Sequence, residues 1–199
     1  MSPAQPIQVD VDLYLHVRVL VSTILGLSVT RLVGGIASFI QHPTRYRVSL
    51  LHLGWVAWTL MNVIAFWWWE YGLRLIEHWN LALYVFVCLY ASMYYFLSAL
   101  LFPNDIEGYD GYQDYFLSRR VWFFSFVAAS NVLDIVDTWI KGHDYFWSFG
   151  AEYIISVGVF IVLCSVAAGT RNLTFHAFFV IIGILYEGIG FVRYFYVLS

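Results

Sequence analysis

Charged residues are scarce in this chain of 199 residues: Asp, Glu, Lys and Arg together make up only 12% of it. A soluble domain averages about 25% charged residues, so the chain has half the usual charge for solvation. Apolar residues account for 61% and aromatic residues for 21%, and the mean hydropathy is +0.73. These values exclude a disordered chain, a coiled coil and an ordinary soluble globule, and they indicate a protein dissolved mostly in lipid.

Cysteine, proline and basic charge are also scarce. The two cysteines, Cys88 and Cys164, fall at depths about 12 Å apart in their apolar stretches, which is too far for a disulfide. All four prolines lie outside those stretches, so the proline-broken helices of many transporter sites are not expected. The net charge of −3 argues against a nucleic-acid partner, which would need a basic excess.

Long apolar stretches are what the chain does contain. A helix needs about 20 apolar residues to cross a bilayer core, and six stretches have about that length. They are residues 15–39, 50–69, 80–102, 121–140, 148–168 and 174–198. The connections between them are short, so the sequence predicts an all-α, polytopic bundle of six transmembrane helices. This bundle forms one domain over residues 1–199, with the lipid bilayer as its partner and no extramembrane domain.

Lys and Arg near the span ends predict the orientation. Five lie in the first, third and fifth loops and four on the other face, so both termini are expected outside. Six tryptophans would then form an interfacial belt at the outer face. They are Trp67, Trp68, Trp69, Trp79, Trp139 and Trp147.

The first span carries small residues at every fourth position. These are Ser22, Gly26, Thr30, Gly34 and Ser38. Such a stripe is typical of helix packing, because small side chains allow another helix to approach closely. The Gly26/Gly34 face is accordingly the candidate surface for a homo-oligomer.

Ionisable residues inside the spans are costly in lipid and normally face the bundle interior. Arg31 lies well inside the first span, and Glu187 lies near the middle of the sixth, on a face that also carries glycines. Burial and opposite charge together suggest an Arg31–Glu187 pair. Such a pair either forms a polar gate or only fixes the register of the two helices, and the sequence does not decide between these roles.

The fourth span ends in polar residues. Asn131, Asp134 and Thr138 share one face, and Asp137 stands one turn before Lys141. Nearby outer groups are His143, Asp144, Glu152, Glu70, Glu77 and His78. These residues indicate either an acidic vestibule that attracts cations or protons, or a solvated rim with an Asp137–Lys141 pair. Their spacing matches no metal signature, so no metal site is predicted.

The remaining polar residues allow weaker interpretations. Asn62 lies near mid-membrane and is expected to hydrogen-bond to a neighbouring helix. His52 and His176 both fall near the inner ends of their spans, and two histidines can ligate haem. No second pair and no attachment motif accompanies them, so no cofactor is predicted. Nucleotide-binding, hydrolase and metalloprotease motifs are missing, which makes an enzyme the last choice.

Several stretches resemble a widespread group of small bacterial integral membrane proteins. They are LHVRVLVSTILGLSVTRLVGGIASFI in the first span, FWWWEYGL at the end of the second, LLFP at the end of the third and SRRVWFF at the start of the fourth. The resemblance covers about the first 125 residues and rests on packing motifs. It implies a bacterial origin and a multi-pass protein of the inner (plasma) membrane, and it transfers no functional residue.

The leading functional hypothesis is a small conduit or transport-like protein for cations or protons. The candidates for its polar pathway are Arg31, Asn62, Asn131, Asp134, Asp137, Glu152 and Glu187. The alternative is a non-transporting assembly or sensor protein whose buried polar groups are structural. A conduit requires a polar path from Asp134 to the inner end, whereas a scaffold requires isolated and fully paired groups.

Overall fold

The computed structural model describes residues 6–42, 47–76 and 78–193, and side chains from Leu13 onward within that part. Its helices are α1 (Pro6–Gln41), α2 (Leu50–Trp69), α3 (Leu81–Leu101), α4 (Tyr112–Ile140), α5 (His143–Ser148), α6 (Gly150–Gly169) and α7 (Leu173–Arg193). A 3₁₀ helix over Glu70–Leu75 extends α2. Within this described part, six helices are long and apolar enough to cross a membrane, and the short α5 is not among them. The protein is therefore an all-α, multi-pass membrane bundle.

The second helix lies at the centre of the bundle, where it packs against α1, α3, α4 and α7. Trp55 and Val56 on this helix are completely buried, and Trp58 and Val63 are nearly so. By contrast, α1, α6 and α7 leave many apolar side chains exposed, as a lipid-facing surface requires. The remaining neighbours are α1 with α3, α3 with α4, α4 with α6, and α6 with α7.

The bundle has two ends that differ in their charges. At one end α2, α4 and α7 finish and α3 and α6 begin, and we call it the acidic end because Glu70, Asp137 and Glu152 lie there. At the other end α1 and α3 finish and α4 and α7 begin. We call this one the arginine end, after Arg31, Arg119 and Arg171.

Local signals in the sequence set several helix starts. The Ser49 hydroxyl accepts a hydrogen bond from the His52 amide at the start of α2, and the Asn80 side chain accepts one from the Leu83 amide at the start of α3. Gly111 precedes α4 with φ +143°, a conformation that favours glycine. These residues fix where the chain enters each of the three helices.

The helix bounds confirm most of the predicted spans and correct two of them. The second span, 50–69, matches α2, and the third and fifth differ from α3 and α6 by one or two residues at each end. The fourth helix begins at residue 112 instead of 121, because Tyr112, Tyr115 and Phe116 recur at helical spacing and are buried. The first helix also starts earlier than predicted, at Pro6. The end of the last predicted span, residues 194–198, lies outside the described residues.

The stripe of small residues on α1 is largely uncovered. Gly26, Thr30 and Gly34 are exposed, and in the described part of the chain no atom lies within 4 Å of a Cβ placed at either glycine. The close approach of α1 to its neighbour occurs instead at Gly35, where a Cβ would collide with the Phe102 ring. The packing within this chain therefore uses Gly35, and the homo-oligomer through Gly26 and Gly34 stays a prediction.

The two adjacent glycines give a matched pair of substitutions. We expect Gly35→Ala to lower the free energy of unfolding by about 1–3 kcal/mol, because the methyl group overlaps the Phe102 ring. Gly34→Ala should be neutral or slightly stabilising, because its methyl group meets open space and alanine favours helix. Thermal unfolding of the two purified variants in detergent, followed by circular dichroism, measures the difference. Equal midpoints for both variants would show that the Gly35–Phe102 approach does not constrain the fold.

Candidate functional site

A buried ion triad joins α2 to α4 at the acidic end. Lys141, the first residue after α4, donates from Nζ to Glu70 Oε1 at 2.9 Å and to Asp137 Oδ2. It also donates to the Trp69 carbonyl at 3.3 Å. Each of the three ionisable side chains is at most 5% exposed. The predicted Asp137–Lys141 pair is present and Glu70 completes it, but the solvated rim predicted around the pair is wrong, because all three side chains are buried.

The carboxyl groups of Glu70 and Asp137 stabilise the positive charge of Lys141. Burial alone would lower the pKa of Lys141, but the carboxylates of Glu70 and Asp137 outweigh it and raise the pKa above its ordinary value. The ammonium group is therefore charged at neutral pH. Burial also raises the pKa of the nearby Tyr145, which stays neutral there.

The two carboxyl groups of the triad share one donor. Both accept from Lys141 Nζ, and the second carboxyl oxygen of Glu70, Oε2, is buried without a hydrogen-bond partner among the described residues. An unpaired buried acceptor carries a desolvation cost, so the single lysine does not fully satisfy the two carboxyl groups.

Asp134 lies one turn before Asp137 on α4 and connects three helices. It accepts hydrogen bonds from Tyr153 on α6 at 2.6 Å and from Tyr90 on α3 at 3.1 Å. The Tyr153 hydroxyl also contacts the Thr138 hydroxyl at 3.1 Å. Tyr90 lies nine residues after Leu81 at the start of α3, about 14 Å along the helix. Asp134 is therefore held at the depth of the hydrocarbon core.

Further polar groups extend from Asp134 toward the middle of the bundle. The rings of Tyr90 and Tyr94 lie 6.1 Å apart on neighbouring turns of α3. Glu187 on α7 lies near enough to Asp134 for their charges to interact. Asn62 on α2 donates from Nδ2 to the Trp58 carbonyl of its own helix at 2.9 Å, so among the described residues the predicted hydrogen bond to a neighbouring helix is wrong. We call the combined set the acid network. Its members are Glu70, Asp134, Asp137, Lys141, Glu187, Tyr90, Tyr94 and Tyr153.

Four of the predicted pathway residues fall outside the acid network, and Asn62 is one of them. Asn131 donates to the Val127 carbonyl of its own helix at 2.8 Å. Glu152 forms an exposed ion pair with Arg193, with a shortest distance of 2.8 Å. Arg31 lies at the arginine end, where it bonds to Phe102 and Asn104.

The predicted Arg31–Glu187 pair is wrong for the residues that the structure describes. The Arg31 side chain donates from Nε to the Phe102 carbonyl at 2.9 Å and from Nη2 to Asn104 Oδ1 at 2.8 Å. Glu187 lies only six residues before the end of α7 at the opposite, acidic end. Opposite charge suggested the pair, but the two side chains lie at different depths in the bundle.

Aromatic side chains fill the other half of the bundle. Trp55 is completely buried, and its ring lies 5.1–5.5 Å from the rings of Phe123, Phe124 and Phe179. Phe124 in turn stacks on His176 at 5.4 Å. Within the described part of the chain, the acid network therefore stops at an aromatic plug made of Trp55, Phe116, Phe123, Phe124 and Phe179.

The two buried histidines at the arginine end each bond to the backbone. His52 donates from Nε2 to the Leu101 carbonyl at 2.8 Å, and His176 donates from Nε2 to the Thr170 carbonyl at 3.0 Å. Among the residues described, no group of three or more His, Cys, Asp or Glu side chains is arranged to hold a metal ion.

Sequence reasoning missed the burial of Glu70 and the part played by the tyrosines. Glu70 directly follows Phe66-Trp67-Trp68-Trp69, and an acid at the end of such an apolar run is a signal that it needs a buried cation. Tyr90 and Tyr94 lie one helical turn apart on α3, so they share a face, and both rings contact Phe66 of α2.

Comparison with protein-family models, with curated proteins and with solved structures finds no match to this chain. The contacts of the acid network are therefore the only ground on which a function is inferred.

The triad gives a direct stability test. We expect Lys141→Met to lower the free energy of unfolding by about 3–5 kcal/mol, because it leaves Glu70 and Asp137 buried without their cation. Glu152→Gln should have little effect, since it removes only an exposed ion pair. Adding Asp137→Asn to Lys141→Met should restore part of the loss.

Chemical denaturation of the purified proteins in mixed micelles measures these differences. A Lys141→Met variant as stable as Glu152→Gln would contradict the burial of the triad.

Proposed function

We propose that the protein binds and transfers protons within the membrane as a small, transport-like protein. The observation that supports this proposal is the composition of the acid network. It contains four carboxyl groups, those of Glu70, Asp134, Asp137 and Glu187, with one ammonium group, that of Lys141. Four ionised carboxylates and one lysine would leave a net charge of −3 inside a bundle of apolar helices.

Such an imbalance is not stable in a low-dielectric interior, so the network has to take up positive charge. No described group of side chains has the arrangement of a metal site, which favours protons over metal cations. The hydrogen bonds between Tyr90, Tyr153 and Asp134 supply hydroxyl groups that can both donate and accept a proton. Proton transfer along these groups needs only small movements of hydrogen atoms.

A second candidate is a non-transporting assembly or sensor protein in which the acid network is structural. The aromatic plug supports this candidate, because it closes the bundle between Asn62 and the arginine end in the arrangement described. Proton transfer across the whole membrane would require the rings around Trp55 to part. In either case we place the protein in the inner (plasma) membrane of a bacterium, on the resemblance of its first 125 residues.

Proton flux into liposomes separates the two candidates. For the purified protein in vesicles with an imposed potential, we expect a proton flux above that of empty vesicles, read by an enclosed pH dye. Asp134→Asn should reduce the flux by about a hundredfold, or to the background, because the bridge between Tyr90 and Tyr153 loses its titratable group.

Glu152→Gln is the matched control, because it makes the same acid-to-amide change at an exposed pair outside the network. It should leave the flux unchanged. Folding of each variant is checked by circular dichroism. If the folded wild-type protein carries no flux, the transport proposal fails and the structural role of the acid network is favoured.

A further inference from the structure

A cavity of about 420 Å³ lies between α1 and the carboxyl-terminal end of α3, away from the acid network. It is lined by Thr30, Arg31 and Gly34 of α1 and by Tyr95, Phe102 and Asn104. Its volume falls within the range of about 300–1,000 Å³ for small-ligand sites. Thr30 and Gly34 are exposed, so the cavity is open on the outward face of α1.

The cavity carries a positive charge that its neighbours do not neutralise. Arg31 has five N–H donors, and two of them bond to neutral oxygens, the Phe102 carbonyl and the Asn104 amide oxygen. No described carboxylate forms an ion pair with Arg31. Asp105, next to Asn104, accepts instead from the Glu107 amide at 2.8 Å. Because a guanidinium group keeps its charge in proteins, the cavity suits an anion.

The depth of the cavity matches the headgroup layer. The third helix has 21 residues and is about 32 Å long, close to the thickness of the hydrocarbon core. Phe102, whose carbonyl accepts from Arg31, is the residue that follows the end of this helix. The Arg31 guanidinium is therefore level with the boundary where lipid phosphates lie.

We propose that this cavity binds the headgroup of an anionic phospholipid. The unused donors of Arg31 contact the headgroup phosphate, and guanidinium groups suit this ligand because their donors match two phosphate oxygens. The acyl chains lie along the exposed apolar face of α1, where Leu27 is 55% exposed. This face leads directly from the cavity into lipid, which favours a lipid over a free phosphate.

Native mass spectrometry of the full chain in detergent tests the proposal with three ligands. They are phosphatidylglycerol, phosphatidylcholine and glycerol phosphate. We expect one phosphatidylglycerol to bind more tightly than phosphatidylcholine, and glycerol phosphate not to be retained. Arg31→Gln should weaken phosphatidylglycerol binding by roughly tenfold or more, because a charge-assisted contact is lost. Arg171→Gln, an equal change of charge at an exposed residue of the same end, should leave binding unchanged.

A second variant tests the proposal even if the Arg31→Gln protein does not fold. Gly34→Leu keeps Arg31 and places a larger side chain at the mouth of the cavity, where a Cβ at this position has open space around it. It should also weaken phosphatidylglycerol binding. The proposal would be overturned by equal binding of the two lipids, or by unchanged phosphatidylglycerol binding in Gly34→Leu. Retention of glycerol phosphate alone, or a dimer without bound lipid, would also overturn it.

Discussion

The ammonium group of Lys141, buried between Glu70 and Asp137, is the interaction on which the acidic end of the bundle depends. It joins the end of α2 to the end of α4. Asp134, one turn before Asp137 on α4, adds contacts to α3 and α6. A buried charge that loses its partner is strongly destabilising. The positions of four helices at this end therefore rest on a small set of charged and hydroxyl groups rather than on apolar contact alone.

The surrounding lipid explains why polar groups determine how these helices associate. Apolar side chains face lipid as readily as they face one another, so apolar packing gives little direction to helix association in a membrane. Polar and charged groups cannot face lipid, and they meet inside the bundle. In this protein they meet in one half, and the aromatic plug around Trp55 fills the other half. The result is a bundle with a buried ion triad in one half and buried aromatic rings in the other.

The sequence was sufficient to predict the class of fold and several helix bounds, because length and hydropathy alone decide which segments can span a bilayer. It predicted the Asp137–Lys141 pair from spacing along one helix. It did not predict that Glu70 would join them, since contacts between helices depend on rotation and depth, which hydropathy does not contain. The same limit produced the wrong Arg31–Glu187 pair: Arg31 bonds to Phe102 and Asn104 at the arginine end, whereas Glu187 lies near the acidic end. Likewise, the early start of α4 depends on Tyr112 and Phe116 packing into the core, which a span-length argument overlooks.

The central claim is that the acid network holds protons, because its single lysine does not balance the negative charge of its carboxylates. Infrared spectroscopy of the protein in lipid tests it most directly, because a protonated carboxyl group has a C=O stretching band that an ionised one lacks. We predict such a band at neutral pH, with a loss of intensity in Asp134→Asn or Glu187→Gln and no loss in Glu152→Gln. A spectrum in which every carboxyl group is ionised at neutral pH would contradict the account.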